Sequence, residues 1–202
     1  MLDSLNQQLF ILINATPSSP AGMLALARFF ARDMIAIVPI LIVVLWLWGP
    51  QRQLENQRSL VLKTVIALVY AMFISWCIGT LFPHPRPFAE GIGHQFLAHA
   101  ADYSYPSDHG TIIFTFSMAF LLWHRFWSGM ILLSVGMVIA WSRIYLGVHW
   151  PLDMLGALLV GLLSCLLAAF TWLSFGTRLL TFASRSYRTV FALAIRKGWV
   201  RN

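Results

Sequence analysis

Residues 154–177 read MLGALLVGLLSCLLAAFTWLSFGT and carry no charged side chain. A helix rises about 1.5 Å per residue, so a helix of this length can cross the roughly 30 Å hydrocarbon core of a bilayer with some tilt. The rest of the chain has the same character, because 59% of its 202 residues are hydrophobic and 10% are charged. This composition exceeds what a soluble core needs and predicts an integral membrane protein.

Four more apolar stretches of the chain are candidates for membrane spans. They cover residues 34–48 with an extension back through 21–31, and residues 64–82, 110–123 and 128–141. The predicted fold class is therefore all-α, a polytopic membrane helix bundle of about five transmembrane helices. The N-terminal residues 1–20 mix apolar and polar side chains and end in a Thr-Pro-Ser-Ser-Pro turn, which favours an interfacial amphipathic helix. No internal repeat divides the chain, so residues 1–202 are expected to form a single domain.

Basic residues are distributed unevenly between the predicted loops. They collect in the loop after the first span, in the short turn at Arg125, and in a basic tail at residues 178–202. All three segments fall on one side of a five-span topology, and cytoplasmic loops are the ones enriched in Arg and Lys. The loops at 83–109 and 142–153 are then expected to face outward, which in a Gram-negative cell is the periplasmic side of the inner membrane.

The net charge of +7 does not by itself indicate a nucleic-acid partner, because the basic residues flank apolar spans. Membrane lipids are the expected surroundings, and no obligate protein partner is predicted. Cys77 and Cys165 both lie within apolar stretches, where a thiol behaves as a small hydrophobic group. Neither a disulfide framework nor a zinc site is expected.

Three polar segments interrupt the apolar chain on the predicted outer side. The first is Arg86-Pro87, the second is Pro106-Ser107-Asp108-His109, and the third combines Ser142-Arg143 with His149 and Asp153 downstream. Guanidinium groups bind oxyanions through paired N–H donors, and a histidine oriented by a carboxylate can act as a nucleophile or a base. This set of side chains suits phosphoryl transfer without a metal.

Each segment also has a simpler structural interpretation. Arg86 alone can reach lipid headgroups, and Ser107 or Asp108 can cap the helix that follows. Asp153 favours the first turn of the last helix whatever His149 does. The four-residue spacing of His149 and Asp153 nevertheless lets the carboxylate accept the imidazole N–H and leaves the other ring nitrogen free to attack phosphorus. The remaining loop histidines lack such neighbours and are expected to be solvated bystanders: His94, His99 and His124.

In this order, the three segments resemble the signature of the type-2 phosphatidic-acid phosphatase superfamily. That signature is a lysine, six intervening residues and Arg-Pro, then Pro-Ser-x-His, then Ser-Arg with a downstream His-x-x-x-Asp. The second and third elements are present in full, whereas Gly79 stands where the family has its lysine. Chains without this lysine resemble the bacitracin-resistance branch, the bacterial undecaprenyl-diphosphatases, and the similarity to enterobacterial members covers essentially the whole chain.

The resemblance implies roles for the matching residues. His149 would attack the terminal phosphorus, Asp153 would fix its tautomer, and His109 would protonate the leaving oxygen and later activate water. His84 is a candidate substitute for the lysine absent at Gly79. The phosphate-binding residues implied in the same way are Arg86, Arg143, Ser107, Ser142, Asp108 and Pro106. No metal or other cofactor is implied, and we expect activity to survive EDTA.

The implied substrate is a C55 isoprenyl diphosphate lipid, whose recycling would support cell-wall synthesis and oppose bacitracin. Other functions stay open at this point. Phosphatidic acid and phosphatidylglycerol phosphate present a phosphate at the same height, and a phosphohistidine can pass its phosphate to a lipid hydroxyl instead of water. A membrane transporter is the non-enzymatic alternative, although it should place polar groups at the bilayer midplane. A haloperoxidase relative and a purely structural membrane protein are weaker alternatives.

Overall fold

The computed structural model describes residues 2–202, whose regular secondary structure is all helical, without a strand. Three short 3-10 turns at Met34–Ala36, Gln51–Gln53 and Pro87–Glu90 link or follow the longer helices. The α-helices in chain order are α1 (Leu2–Ile13), α2 (Ala21–Arg32), α3 (Ile37–Leu47), α4 (Leu54–Leu81), α5 (Asp108–Trp123), α6 (Phe126–Tyr145), α7 (Pro151–Val190) and α8 (Ala192–Arg196). The predicted all-α membrane bundle is confirmed.

Within residues 2–202, four stretches are long and apolar enough to cross a membrane: Ala21–Leu47, Gln51–Leu81, Phe126–Tyr145 and Pro151–Val190. The first joins α2 and α3 through the 3-10 turn, as the predicted backward extension of that span requires. The fifth predicted span is α5, whose 16 residues extend only about 24 Å at the usual helical rise. It lies in the middle of the bundle, in contact with α4, α6 and α7.

The last long helix extends further than the sequence analysis predicts. The apolar run ends at Thr177, but α7 continues to Val190 and so includes the first part of the predicted basic tail. No proline interrupts residues 178–190, and most of the side chains there tolerate a helix, so nothing stops it. The basic residues of this segment therefore extend from a rigid helix.

Small residues let α5 and α7 approach closely. A Cβ at Gly161 would lie 2.9 Å from the backbone nitrogen of Thr115, and a Cβ at Gly110 would lie 2.9 Å from Cβ of Ala157. Such contacts leave no room for larger side chains at the two glycines. The ends of α5 and α7 that carry His109 and the residues after His149 are consequently held side by side.

Helix α1 rests on the ends of α6 and α7 at the same side of the bundle. The Asn6 side chain accepts a hydrogen bond from the backbone N–H of Leu152 at 3.0 Å, and the Phe10 ring lies 5.0 Å from that of Trp150. The Asn14 amide donates to the carbonyl of Tyr145 at 3.2 Å. The predicted N-terminal helix is present, and the face that carries Asn6 and Phe10 packs on the bundle, while its interfacial position in the membrane stays a prediction.

Candidate active site

The three polar segments of the sequence meet at one end of the bundle. Arg86 follows α4, His109 lies in the first turn of α5, Arg143 lies in the last turn of α6, and His149 immediately precedes α7. Gly147 makes the short α6–α7 connection possible, because its φ is +79° and a Cβ there would run into the backbone carbonyl of His94. This turn brings His149 back over the end of α6.

The predicted His149–Asp153 pair is present. His149 Nδ1 lies 3.0 Å from Asp153 Oδ2, and both side chains are buried. The same carboxylate oxygen accepts the backbone N–H of Trp150 at 2.8 Å and a short hydrogen bond from the Ser104 hydroxyl. An acceptor held by three donors fixes both the ring orientation and the tautomer, so Nδ1 carries the proton.

The other ring nitrogen of His149 faces the two predicted arginines. Nε2 lies 3.0 Å from Arg86 Nη1 and 3.4 Å from Arg143 Nη2. Burial, and then the positive charges of Arg143 and Arg86, hold the pKa of His149 well below its ordinary value of 6.5. The ring is therefore neutral near pH 7, with an unprotonated Nε2 between two guanidinium groups.

Hydrogen bonds to groups other than His149 hold each guanidinium in place. Arg86 is buried and donates from Nε to Asp102 Oδ1 at 2.8 Å and from Nη1 to the Val148 carbonyl at 2.8 Å. Arg143 donates from Nη1 to the Ala31 carbonyl at 3.0 Å, while its buried Nε has no hydrogen-bond partner within residues 2–202. A buried donor without an acceptor is costly unless an acceptor arrives, and an oxyanion supplies one.

His109 lies close to this cluster. It is half-buried, and burial, with the positive charges of Arg143, His99 and Arg86, lowers the pKa of its imidazole to about 4. No hydrogen bond within the described chain commits its ring to another side chain. This position is compatible with an acid or base that meets the substrate from the α5 side.

The remaining predicted phosphate ligands make contacts within the protein. Ser107 caps α5, with its hydroxyl accepting from the backbone N–H of Gly110 at 3.4 Å. The Ser142 hydroxyl donates to the Ile139 carbonyl at 2.8 Å. The capping role predicted for Ser107 is thus observed, and direct contacts of both hydroxyls with phosphate stay a prediction.

Asp108 and Pro106 offer even less to an anion through their side chains. The Asp108 carboxylate is exposed and accepts from the Ser75 hydroxyl of α4 at 3.3 Å. Pro106 is buried and has no backbone N–H to donate. Their value to a phosphate site would be indirect, in shaping the start of α5, where free amides favour an anion.

The loop between the first two polar segments supplies contacts that the sequence analysis misses. The prediction that His99 is a solvated bystander is wrong, since its ring centroid lies 6.1 Å from that of His149 and its side chain is only 23% exposed. Burial, with the charges of Arg86 and Arg143, lowers the pKa of His99. Asp102 lies 3.8 Å from His99 Nδ1. Burial opposes the charged form of Asp102, but its hydrogen bond and attraction to Arg86 outweigh burial and lower its pKa.

The space at the family's lysine position is filled by an aromatic ring. Gly79 is buried, and a Cβ there would overlap the ring of Tyr103. Tyr103 also accepts from Arg86 Nη2 through its carbonyl at 3.2 Å. His84, the candidate substitute, packs edge-on to Trp150 with ring centroids 6.2 Å apart, and no hydrogen bond joins it to His149 or the arginines in the described chain.

The family model of the PAP2 superfamily matches residues 60–179. The chain belongs to the PAP2 superfamily. The match covers more than half of the chain and includes all three polar segments, so the resemblance inferred from the motifs is confirmed.

Relatives extend the similarity over the full length of this PAP2 protein. It is 59% identical over 202 residues to a protein of Escherichia coli provisionally named undecaprenyl-diphosphatase YbjG, with 100% of both chains covered. It is 30% identical over 159 residues to undecaprenyl-diphosphatase BcrC of Bacillus subtilis, covering 79% of this chain and 80% of the relative.

Solved structures show the same PAP2 fold. LpxE of Aquifex aeolicus superposes with a TM-score of 0.64 at 22% identity, over 82% of this chain and 94% of that one. A PAP2-type phosphatidylglycerolphosphate phosphatase of Bacillus subtilis superposes with a TM-score of 0.61 at 14% identity, over 84% and 85%. At these identities the likeness concerns the fold alone.

Proposed function

We propose that this protein is an undecaprenyl-diphosphate phosphatase, which removes the terminal phosphate of a C55 isoprenyl diphosphate and returns the monophosphate carrier to use. The observation that carries the proposal is the geometry of His149, with Nδ1 bonded to Asp153 and Nε2 between Arg86 and Arg143. Phosphoryl transfer without a metal requires a neutral nucleophile and fixed positive groups that bind the phosphate oxygens. His149 between the two guanidinium groups meets both requirements.

In the first step, Nε2 of His149 forms a bond to the terminal phosphorus while the bond from phosphorus to the bridging oxygen breaks. The electron pair of that bond leaves with the lipid monophosphate. His109, whose protonated form is favoured by the negative charge of the bound diphosphate, donates a proton to the leaving oxygen. Arg86 and Arg143 stabilise the charge on the three equatorial oxygens of the transition state. Asp153 stabilises the positive charge that develops on the imidazole ring.

In the second step, water attacks the phosphohistidine. His109, now neutral, accepts a proton from the water, the nitrogen–phosphorus bond breaks, and inorganic phosphate leaves. His149 returns to its neutral form with Nδ1 still bonded to Asp153. His149 therefore acts as the nucleophile and His109 as the acid and then the base, and both return to their starting protonation states after one turnover.

The names of the relatives support the choice of substrate. Two relatives are named as undecaprenyl-diphosphatases, one of them similar over its entire length. The chemistry of the site requires only a terminal phosphate, so phosphatidic acid and phosphatidylglycerol phosphate are the alternative substrates, with a lipid hydroxyl as an alternative acceptor. Removal of the diphosphate form would also oppose bacitracin and support peptidoglycan synthesis.

We further propose that the site faces the periplasm from the inner membrane. The excess of basic residues near the opposite end of the bundle supports this orientation. The substrate diphosphate would then lie at the height of the lipid headgroups, with its isoprenyl tail in the hydrocarbon. The collection of the site charges at one end of the bundle argues against a transporter, which should bind at the midplane.

A substrate panel tests the proposal. Purified protein in neutral detergent is given undecaprenyl diphosphate, phosphatidic acid or phosphatidylglycerol phosphate at equal surface concentration, and released phosphate is measured for the parent chain and for His149→Ala. We expect the isoprenyl diphosphate to be hydrolysed fastest and the variant to be inactive. Faster hydrolysis of either phospholipid would reverse the substrate assignment, and near-parent activity of the variant would reject the catalytic one.

A further inference from the structure

A polar cavity lies at the end of the bundle opposite the active site. The chain after α8 folds back toward the end of α3, where the Arg201 N–H donates to the Leu47 carbonyl at 2.9 Å. The Trp48 indole donates to the Trp199 carbonyl at 2.8 Å. This returning segment, the start of α4 and the last turns of α7 enclose a cavity of about 550 Å³.

Most of the side chains that line this cavity are polar, and two of them are cations. Two guanidinium groups, Arg58 and Arg188, and two hydroxyls, Thr181 and Ser184, reach it from α4 and α7. One carboxylate, Glu55, also lines it. Cavities of this size accommodate small polar molecules or a lipid headgroup.

Arg58 is the group that indicates a ligand. Its side chain is only 6% exposed. Its hydrogen-bond partner is the neutral carbonyl of Arg201, 2.9 Å from Nη2, and its guanidinium lies over the rings of Tyr187 and Trp46 at 4.6 Å and 5.5 Å.

The charge of Arg58 is not balanced by the protein around it. No carboxylate lies within 4 Å of Arg58, and its buried Nε has no hydrogen-bond partner, within residues 2–202. A buried cation without a counter-ion is unfavourable, so a site of this kind gains free energy when an anion enters.

We propose that this cavity binds a phosphoryl group. Guanidinium forks match the oxygens of phosphate, and the nearby hydroxyls add donors that a chloride ion or a flat carboxylate would use less fully. The source is either the headgroup of an anionic phospholipid or free phosphate. The site is separate from the phosphatase reaction, because it lies at the other ends of α4 and α7.

The experiment measures ligand-induced stabilisation of the full-length protein in neutral detergent, followed by its tryptophan fluorescence on heating. One arm titrates phosphatidylglycerol, a phosphodiester without a terminal phosphate, against diacylglycerol with the same acyl chains. The other arm titrates inorganic phosphate. Any binding at the active site is common to the parent and to all variants at the opposite end, so differences between them report the cavity.

Each variant changes one side chain. Arg188→Gln removes a cavity cation, and Arg185→Gln removes an exposed cation of the same helix that does not line this cavity. We expect apparent affinity to fall about fivefold in the first and to stay within about twofold in the second. Arg58→Lys keeps the charge but removes the unpaired Nε, and it should also weaken binding.

Glu55→Gln provides a change of opposite sign that misfolding cannot imitate. Removal of the Glu55 carboxylate should tighten anion binding about threefold relative to the parent. These shifts in the phosphatidylglycerol arm would assign the site to a lipid headgroup, and shifts only in the phosphate arm would assign it to free phosphate. If Arg188→Gln matches Arg185→Gln, and Glu55→Gln matches the parent, in both arms, the proposal is overturned.

Discussion

Asp153→Asn should strongly reduce turnover without emptying the space that Asp153 fills. The carboxylate oxygen accepts from His149, Ser104 and the Trp150 backbone, and an asparagine oxygen could keep only part of this set. The amide also brings N–H donors. If one of them faces Nδ1, the proton of the imidazole moves to Nε2, the atom that must attack phosphorus.

The size of the effect follows from the bond that is lost. Hydrogen bonds to a charged group contribute about 1.5 to 3 kcal/mol each, and the His149–Asp153 bond strengthens as the ring becomes positive. We therefore expect a transition-state loss of about 2 to 4 kcal/mol, which lowers kcat roughly 30- to 1000-fold. KM should change little, because the guanidinium groups that hold the phosphate are untouched.

Steady-state phosphate release from isoprenyl diphosphate in detergent measures this effect. Ser104→Ala is the matched control, since it removes another donor from the same carboxylate but leaves the His149 bond in place, and we expect a loss of about fivefold. Thermal unfolding of each variant separates misfolding from lost catalysis. An Asp153→Asn enzyme that is folded and within threefold of the parent kcat would refute the assigned role of the pair.

Three further predictions test other parts of the site. Asp102→Asn should lower kcat/KM about fivefold, because the half-exposed Asp102 carboxylate contributes roughly 1 kcal/mol to the placement of Arg86. Asp102→Glu should recover part of this loss. Equal losses in the two variants would contradict the role of the carboxylate. Gly79→Ala should lower both the unfolding temperature and activity by displacing the Tyr103 ring, an overpacking cost of about 1 to 3 kcal/mol; an unchanged unfolding temperature would show that the ring moves freely. Burial lowers the pKa of His149 in the folded protein below its value of about 6.5 in the unfolded chain. The neutral ring therefore contributes its full stability above about pH 6.5. As the pH falls from there toward the lowered pKa, the free energy of unfolding decreases by up to about 1.4 kcal/mol per pH unit. The unfolding temperature of the parent should therefore fall more steeply between pH 7 and pH 5 than that of His149→Gln, and parallel curves would contradict the buried neutral ring.

The parts of this structure that sequence reasoning predicts are those with a local cause. Uncharged apolar runs predict the long helices, and the spacing of His149 and Asp153 predicts their hydrogen bond. The end of α7 is missed because hydropathy changes at Thr177 while helix propensity does not. Hydropathy reports where a span can end in the membrane, and it says little about where the helix itself ends.

The parts that sequence reasoning misses depend on long-range packing. Asp102 and Ser104 belong to a loop without periodicity, and their contacts to Arg86 and Asp153 exist only after α4, α5 and α7 assemble. The same holds for Tyr103, whose ring fills the space beside Gly79. The absent lysine is visible in the sequence, but the ring that occupies its place is not.

The claim that His149 is the nucleophile is tested most directly by trapping its phosphorylated form. Isoprenyl diphosphate labelled with radioactive phosphorus in the terminal phosphate is mixed with enzyme and quenched in alkali within milliseconds, and the labelled peptide is identified by mass spectrometry. We predict an alkali-stable, acid-labile label on the peptide that contains His149, and no label in His149→Ala. A label on another residue, or full turnover by His149→Ala, would contradict the mechanism.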